Sequence, residues 1–202
     1  MKTLFGVIHP DSGDIFIEGQ KVEIDSPIQA KKAGIALAPE DRKREGLVMG
    51  MSLSDNISLA NLKEIATCGH IKKRVSTGLS LKYISELKIK PGDPKKKILN
   101  FSGGNQQKAV IAKWLATNPK VIILDEPTRG IDIGAKVEIY NLINELAARG
   151  VGIIVVSSEL PELIGICNRI LVISNGGITG EFERNAFQQD VLMKAATRFE
   201  QQ

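Results

Sequence analysis

Val121-Ile122-Ile123-Leu124 is an unbroken apolar run that stops on two adjacent acids, Asp125-Glu126, and a proline, Pro127. A strand that is apolar at every position needs cover on both faces, which parallel sheets flanked by helices supply and half-solvated antiparallel sheets do not. The next segment, 134–149, carries Val137, Tyr140, Leu142, Ile143 and Leu146 as the apolar positions of a helix, with Gly150 placed to cap its C-terminus. Residues 151–157 then form a second apolar strand. Strand, helix and strand in this order predict a right-handed βαβ unit of a parallel sheet. Aromatic residues are only 4% of the chain, so the core rests on Ile, Leu, Val and Ala, as suits such strands.

Earlier in the chain, Pro10-Asp11-Ser12-Gly13 reads as a turn into two short β-rich runs, 14–19 and 20–24, which predict a hairpin. Residues 27–32 read as helix, and Gly34-Ile35-Ala36-Leu37-Ala38 as a short buried strand closed by Pro39. The stretch 47–118 is mostly helical in pattern. Ser54-Asp55-Asn56 offers one helix start, Leu79, Leu81, Ile84 and Leu87 lie near helical spacing, and Pro91-Gly92-Asp93-Pro94 is a loop. A further helix is expected over 105–117, with Val110, Ile111, Trp114 and Leu115 on one face, Trp114 as a core anchor, and Asn118-Pro119 as its stop. Ile170-Leu171-Val172-Ile173 supplies another strand before the turn Asn175-Gly176-Gly177, and 186–199 reads as a surface helix.

The 202 residues suffice for one domain with a subdomain. The net charge of +4 is mild, and the basic runs Arg42-Lys43-Arg44, Lys72-Lys73-Arg74 and Lys95-Lys96-Lys97 lack interleaved aromatics. They read as solvated faces, and no nucleic-acid partner is expected. Cys68 and Cys167 stand far apart and read as free thiols of a cytoplasmic protein. Two histidines, His9 and His70, give no histidine-based metal site. No signal peptide is recognisable, and no apolar run approaches the roughly 20 residues of a membrane span, so any membrane link is expected to run through a partner.

Two constellations carry chemistry. Asp125 and Glu126 sit at the C-terminal end of a buried strand, where open α/β sheets bind ligands. An aspartate there can hold a magnesium ion and its waters, and a neighbouring glutamate can orient or deprotonate an attacking water. Ser102-Gly103-Gly104 opens the 105–117 helix, where small residues let the backbone approach a ligand and the helix N-terminus offers N–H groups to an anion. Each alone has an ordinary structural explanation, a solvated acidic turn or an N-capped loop. Together, Phe101-Ser102-Gly103-Gly104-Asn105-Gln106-Gln107 followed one helix later by Leu124-Asp125-Glu126-Pro127-Thr128 resembles, in order and spacing, the signature motif and Walker B of an ATP-binding cassette (ABC) ATPase.

The resemblance extends over essentially the whole chain and narrows to the second, C-terminal cassette of the tandem ATPase subunit of bacterial ribose-, galactose- and xylose-type importers. It rests on the phrases at 39–47, 104–108 and 128–136, with Ser157-Ser158-Glu159-Leu160-Pro161-Glu162. Asn105 stands where the general signature has its last Gln. The resemblance implies an α/β, ABC-type nucleotide-binding domain, a RecA-like parallel sheet with a helical subdomain and an incomplete N-terminal β part. Its segments would be a remnant of the β subdomain with the Q-loop region at 1–44, the helical subdomain with the signature at 45–118, and the RecA-like core with Walker B and the tail at 119–202.

The same resemblance implies ATP and Mg²⁺ as cofactors. Asp125 would bind the metal, and Glu126, the catalytic residue, would polarise the hydrolytic water. Ser102, Gly103 and Gly104, with Asn105 and Gln106 beside them, would meet the γ-phosphate of ATP held by an opposing cassette. Asp132 falls in the D-loop, Glu40 in the Q-loop region near the surface that receives the membrane subunit, and Ser158 at the switch position. The implied partners are an integral-membrane permease, a second cassette and, indirectly, a periplasmic sugar-binding protein. The implied place is the cytoplasmic face of the inner membrane, and the implied role is to couple ATP hydrolysis to carbohydrate uptake. The sugar itself is not legible.

Three departures bear on activity. No G-x-x-x-x-G-K-[ST] occurs, and Met1-Lys2-Thr3-Leu4-Phe5-Gly6 resembles the helix that follows that loop, so the piece reads as truncated at its N-terminal side only. Ser158 replaces the switch histidine, and Pro39 the Q-loop glutamine. The expectation is that the isolated chain binds ATP weakly or not at all and does not turn it over, and that removal of a strand leaves an exposed sheet edge and low stability. Two other readings are a non-catalytic fragment of a split or decaying gene that offers its signature in trans, and a soluble ABC ATPase of DNA or ribosomes. The mild charge and the lack of a long coiled-coil insertion count against the last.

Overall fold

A computed structural model describes residues 1–67 and 69–197. The chain divides into two compact units, Met1–Val156 and Ser157–Gln202. In the first unit, strands β1 (Ile15–Ile17) and β2 (Gln20–Val22) pair antiparallel around Glu18-Gly19, both at positive φ, which is the expected hairpin. Helix α1 (Pro27–Ala33) begins with Pro27 in its first turn, takes its cap from Ser26, whose hydroxyl accepts from Gln29 N–H, and ends at the left-handed Gly34.

The parallel sheet is as expected. Strands β3 (Ile35–Ala38), β6 (Val121–Asp125) and β7 (Gly152–Val156) lie in the order β3–β6–β7, with Ala38 opposite Leu124 and Asp125 opposite Val156. Ile122, Ile123 and Leu124 are wholly buried, which is why that run is apolar throughout. Phe5, Ile24, Ala30, Ile35 and Leu37 close over Ile123, and Trp114 meets Phe5 edge-on at 5.3 Å between ring centres. Residues 1–7 form tight turns, with Phe5 N–H donating to Met1 O. A Cβ at Gly6 would stand 2.7 Å from the Ser26 backbone, so the close approach there admits only glycine.

Between β3 and β6 the chain is helical, as read. It runs through a wide helical turn at Arg42–Gly46, α2 (Leu53–Ser58), α3 (Leu62–Ile65), the short pair β4 (Ala66–Thr67) and β5 (His70–Ile71), α4 (Lys73–Glu86) and α5 (Gly103–Leu115). Three details differ from the sequence reading. Helix α2 starts at Leu53 and is capped by Ser52, whose hydroxyl accepts from Asp55 N–H at 3.1 Å, while Ser54 is buried. Leu81, read as part of the apolar face of α4, is 46% exposed. The buried face instead includes Ser76 and Ser80, whose hydroxyls pair with Ser58 at 2.8 Å and Ser54 at 2.9 Å. Small hydroxyls let two helices pack closely while satisfying each other, a pattern that hydrophobic periodicity overlooks. Helix α5 begins two residues before the position read from sequence.

Helix α6 (Ile133–Ala148) joins β6 to β7 and ends before the left-handed Gly150. Its buried positions are Ile139, Leu142, Ile143 and Leu146, whereas Val137, read as core, is 51% exposed. In the second unit, α7 (Leu160–Ile166) is followed by β8 (Arg169–Ser174) and β9 (Gly177–Glu183), an antiparallel pair joined by the Asn175-Gly176 turn. Helix α8 (Gln189–Ala196) buries Leu192 and Ala195 against Ile170 and Val172, so the tail read as a surface helix has a core face of its own. The remainder of that reading, 198–199, and Cys68 lie outside the described residues. Cys167 is a free thiol whose pKa burial pushes up. No helix among the described residues is long and apolar enough to cross a membrane.

Lys113 on α5 is 8% exposed and donates to Gly46 O at 2.6 Å, tying the helix to the Arg42–Gly46 turn. Burial lowers its pKa from 10.5 to about 8. The unfolded chain therefore holds more protons than the folded one between those values, and stability rises with pH across that window. Urea denaturation from about pH 8 to about pH 10 should show the native chain gaining stability relative to Lys113→Met. A pH-independent difference would contradict a buried, shifted lysine.

Candidate functional site

The C-terminal end of β6 delivers Asp125 half-buried, and burial, reinforced by the charges of Glu126 and Glu45, pushes its pKa up. Glu126 adopts φ 47°, in the left-handed region, while its N–H donates to Val156 O at 2.8 Å. One further sheet hydrogen bond is thus made as the chain turns out of the sheet. A non-glycine residue in that conformation costs about 1 kcal/mol or more and persists where its surroundings fix it. The turn is closed by Arg129 N–H donating to Glu126 O at 3.1 Å, over the buried Pro127 and Thr128. Asp132 then caps α6, its carboxylate accepting from Ala135 N–H at 2.9 Å.

Glu40 and Arg42, just after β3, reach the same turn. Glu40 forms an ion pair with Arg129. The Arg42 guanidinium donates to the carbonyls of Arg129 at 2.7 Å and Gly130 at 3.1 Å. Burial lowers its pKa. The sequence reading placed Arg42 in a solvated basic run. That holds for Lys43 and Arg44, which are exposed, but Arg42 is a clamp on the 129–130 turn. Its neighbours gave the missing signal: Asp41 caps the helical turn by accepting from Lys43 and Arg44 N–H, which turns Arg42 inward.

The glycines that open α5 meet the chain itself. A Cβ at Gly103 would stand 2.9 Å from Arg42 Nη2 and 3.1 Å from Gly130 O, and one at Gly104 would stand 2.6 Å from Ala135 Cβ on α6. Sequence reasoning gave these glycines to a ligand's approach, whereas the structure gives their bareness to the clamp and to helix packing. Ser102 is exposed at the head of α5, and its hydroxyl accepts from Asn105 Nδ2 at 2.9 Å. Asn105 Oδ1 in turn accepts from Lys90 N–H at 2.8 Å. Gln106 is 4% exposed and its Nε2 donates to Phe101 O at 3.0 Å, so its amide faces inward and holds the 98–101 turn.

The first unit therefore joins the Glu40 segment, the Asp125-Glu126 turn, the Asp132 cap and the signature helix through Arg42, Arg129 and the α5–α6 contact. Ser158 belongs to the second unit, where it is exposed. Beside it the Ser157 hydroxyl donates to the buried Glu162 carboxylate and accepts from Glu159 N–H at 3.0 Å. Among the described residues no cluster of three or more His, Cys, Asp or Glu could hold a metal ion by itself.

A parallel sheet ending in an acidic turn, with a glycine-headed helix bound to that turn, is the arrangement of an ATP-binding cassette. The chain belongs to the ABC transporter family, whose model matches residues 1–129. It is 48% identical over 197 residues to the ribose import ATP-binding protein of Geobacillus kaustophilus and 50% identical to that of Bacillus licheniformis, in each case over 98% of this chain and 40% of the relative. A putative ribose/galactose/methyl galactoside import ATP-binding protein of Agrobacterium fabrum is 45% identical over 97% of this chain and 39% of its own length. The chain thus spans about two fifths of the curated relatives it matches.

Among solved structures, the ABC-transporter cassette MJ1267 superposes with a TM-score of 0.78 at 21% identity, over 96% of this chain and 80% of that one. The dimeric post-hydrolysis cassette MJ0796, bound to ADP and Pi, gives 0.74 at 21% identity, over 92% and 79%. At that identity the likeness establishes the fold, which is the α/β cassette with a parallel sheet that the sequence implied.

The tight α5–α6 contact has a direct consequence. Gly104→Ala should destabilise the chain by about 1–3 kcal/mol in urea denaturation, although alanine favours helix, because its methyl overpacks Ala135. Ala135→Gly in that background should recover part of the loss. An unchanged or raised stability for Gly104→Ala alone would refute the contact.

Proposed function

We propose that the chain is part of the ATP-binding, ATP-hydrolysing subunit of a bacterial ABC sugar importer, and that it couples ATP hydrolysis to carbohydrate uptake as the second cassette of a tandem pair. One observation carries this reading. Close similarity to sugar-import ATP-binding proteins runs the length of the chain, and the signature helix and Walker B turn it includes are joined in one compact unit. Family membership implies nucleotide binding, and the nucleotide is proposed to be ATP with Mg²⁺.

Asp125 is the proposed metal ligand. Its carboxylate is strained by burial and by two acidic neighbours, which a cation would relieve, and a single carboxylate suits an ion that keeps most of its waters and phosphate ligands. Mg²⁺ bound there would neutralise charge on the phosphates. Glu126, held in position by its backbone, is the proposed group that orients and polarises the attacking water. Ser102, with the N–H groups of Gly103, Gly104 and Asn105 at the head of α5, is proposed to face the γ-phosphate of ATP held by an opposing cassette. Gln106 supports that turn from within. Asp132 fixes the start of α6 in the D-loop, and Glu40 with Arg129 links the site to the surface proposed to receive the permease.

These 202 residues contain no G-x-x-x-x-G-K-[ST], so the phosphate-cradling loop is not among them, and Ser102 and the α5 N-terminus are proposed to act on nucleotide held by an opposing cassette. Ser158, without a titratable nitrogen, supplies at most a hydroxyl at the switch position. The proposed partners are an integral-membrane permease, the other cassette and, through the permease, a periplasmic sugar-binding protein, with the chain peripheral on the cytoplasmic face of the inner membrane.

In the source bacterium, deleting the coding sequence of this chain should abolish uptake of at least one labelled monosaccharide among ribose, galactose and xylose. Unchanged uptake of all three would contradict the assignment.

A further inference from the structure

The signature helix lacks the cap its sequence leads one to expect. Ser102 occupies the N-cap position of α5, with extended backbone at φ −63° and ψ 160°, yet its side chain makes no capping bond to the first turn. An N-cap serine ordinarily accepts a backbone N–H from the second or third helical residue. Here the third helical residue, Asn105, reaches back with its side-chain amide to the Ser102 hydroxyl at 2.9 Å. The other end of that amide is anchored outside the helix, where Oδ1 accepts from Lys90 N–H at 2.8 Å.

We infer that Asn105 is a positioning residue that fixes which way the Ser102 hydroxyl donates. A backbone N–H can only donate, so the Asn105 atom facing Lys90 is its oxygen, and the atom facing Ser102 is its NH₂. A hydroxyl that receives a hydrogen bond uses a lone pair and keeps its own proton for another acceptor. Ser102 is exposed, so that proton is presented to solvent at the head of α5, where an anionic oxygen also meets the positive end of the helix dipole. The anchor matters as much as the contact. Asn105 is tied to the 88–91 connection, so neither amide rotation nor retreat of Ser102 onto its own helix is free. Without Asn105, Ser102 reverts to capping its own first turn and competes with a ligand for those N–H groups. The Asn105 side chain thus acts through Ser102 rather than by touching the phosphate, and its backbone N–H is unchanged in Asn105→Ala.

This rests on the reading of the α5 N-terminus as a phosphate half-site, and the experiment separates the two. The ¹⁵N-labelled chain is titrated with inorganic tripolyphosphate, and the Gly103 and Gly104 amide shifts are followed. The native chain should bind in the millimolar range, Ser102→Ala about tenfold more weakly, and Asn105→Ala about fivefold more weakly. The double variant should bind within about twofold of Ser102→Ala, because a residue that acts only through Ser102 has nothing left to lose. The Lys90 amide resonance should move in Asn105→Ala and stay in Ser102→Ala, while resonances of the β6 strand report that each variant is folded.

If neither the native chain nor any variant shifts with tripolyphosphate, or if Ser102→Ala binds like the native chain, the half-site reading falls and the inference with it. If Ser102→Ala weakens binding while Asn105→Ala does not, or if the two losses multiply in the double variant, the positioning role alone is overturned.

Discussion

The burial of β6 between β3 and β7 is the constraint from which the rest of the first unit follows. Because Ile122, Ile123 and Leu124 have no exposed face, the strand can end only where polar groups reach solvent, and it ends on Asp125. The next residue keeps one more sheet hydrogen bond, from Glu126 N–H to Val156 O, while its left-handed φ turns the chain away. The backbone that carries the carboxylate pair is thus fixed by the sheet hydrogen bond and the left-handed turn. Arg42 fastens the following turn to the segment after β3, and the turn in turn meets Gly103 at the head of α5. The two motifs that identify the family are therefore parts of one mechanical piece, joined before any nucleotide arrives.

The glycines of the signature take on a double meaning. Their lack of a side chain is required by Arg42, Gly130 and Ala135 whatever binds nearby. A loss of function in a Gly104 variant would accordingly mix packing damage with lost phosphate contact. Ser102, exposed at the head of α5, has no such packing burden, and recognition chemistry can be probed there more cleanly.

Much of this was legible in the sequence. The apolar run at 121–124, the hairpin around Gly19, the strand closed by Pro39 and the parallel pairing of β6 with β7 all follow from periodicity and turn residues. Side-chain hydrogen bonding was not legible. Buried Ser76 and Ser80 look like solvent positions to a hydrophobic pattern, Leu81 and Val137 look like core, and Arg42 and Lys113 look like surface cations. For the two serines and the two cations the deciding fact is a partner far away in sequence: Ser54, Ser58, the Arg129 and Gly130 carbonyls, or Gly46 O. Asn105 was recognisable as part of a motif, but its anchor on Lys90 lies across a loop that no local pattern connects to it.

As proposed, these 202 residues carry a metal ligand, a water-orienting carboxylate and phosphate donors for an opposing cassette, without a G-x-x-x-x-G-K-[ST] loop among them to cradle a nucleotide. Equilibrium titration of the purified 202-residue chain with labelled ATP and Mg²⁺ tests this most directly. No saturable binding tighter than about 1 mM is expected, equivalent to a binding free energy of about −4 kcal/mol. A dissociation constant in the micromolar range would contradict it.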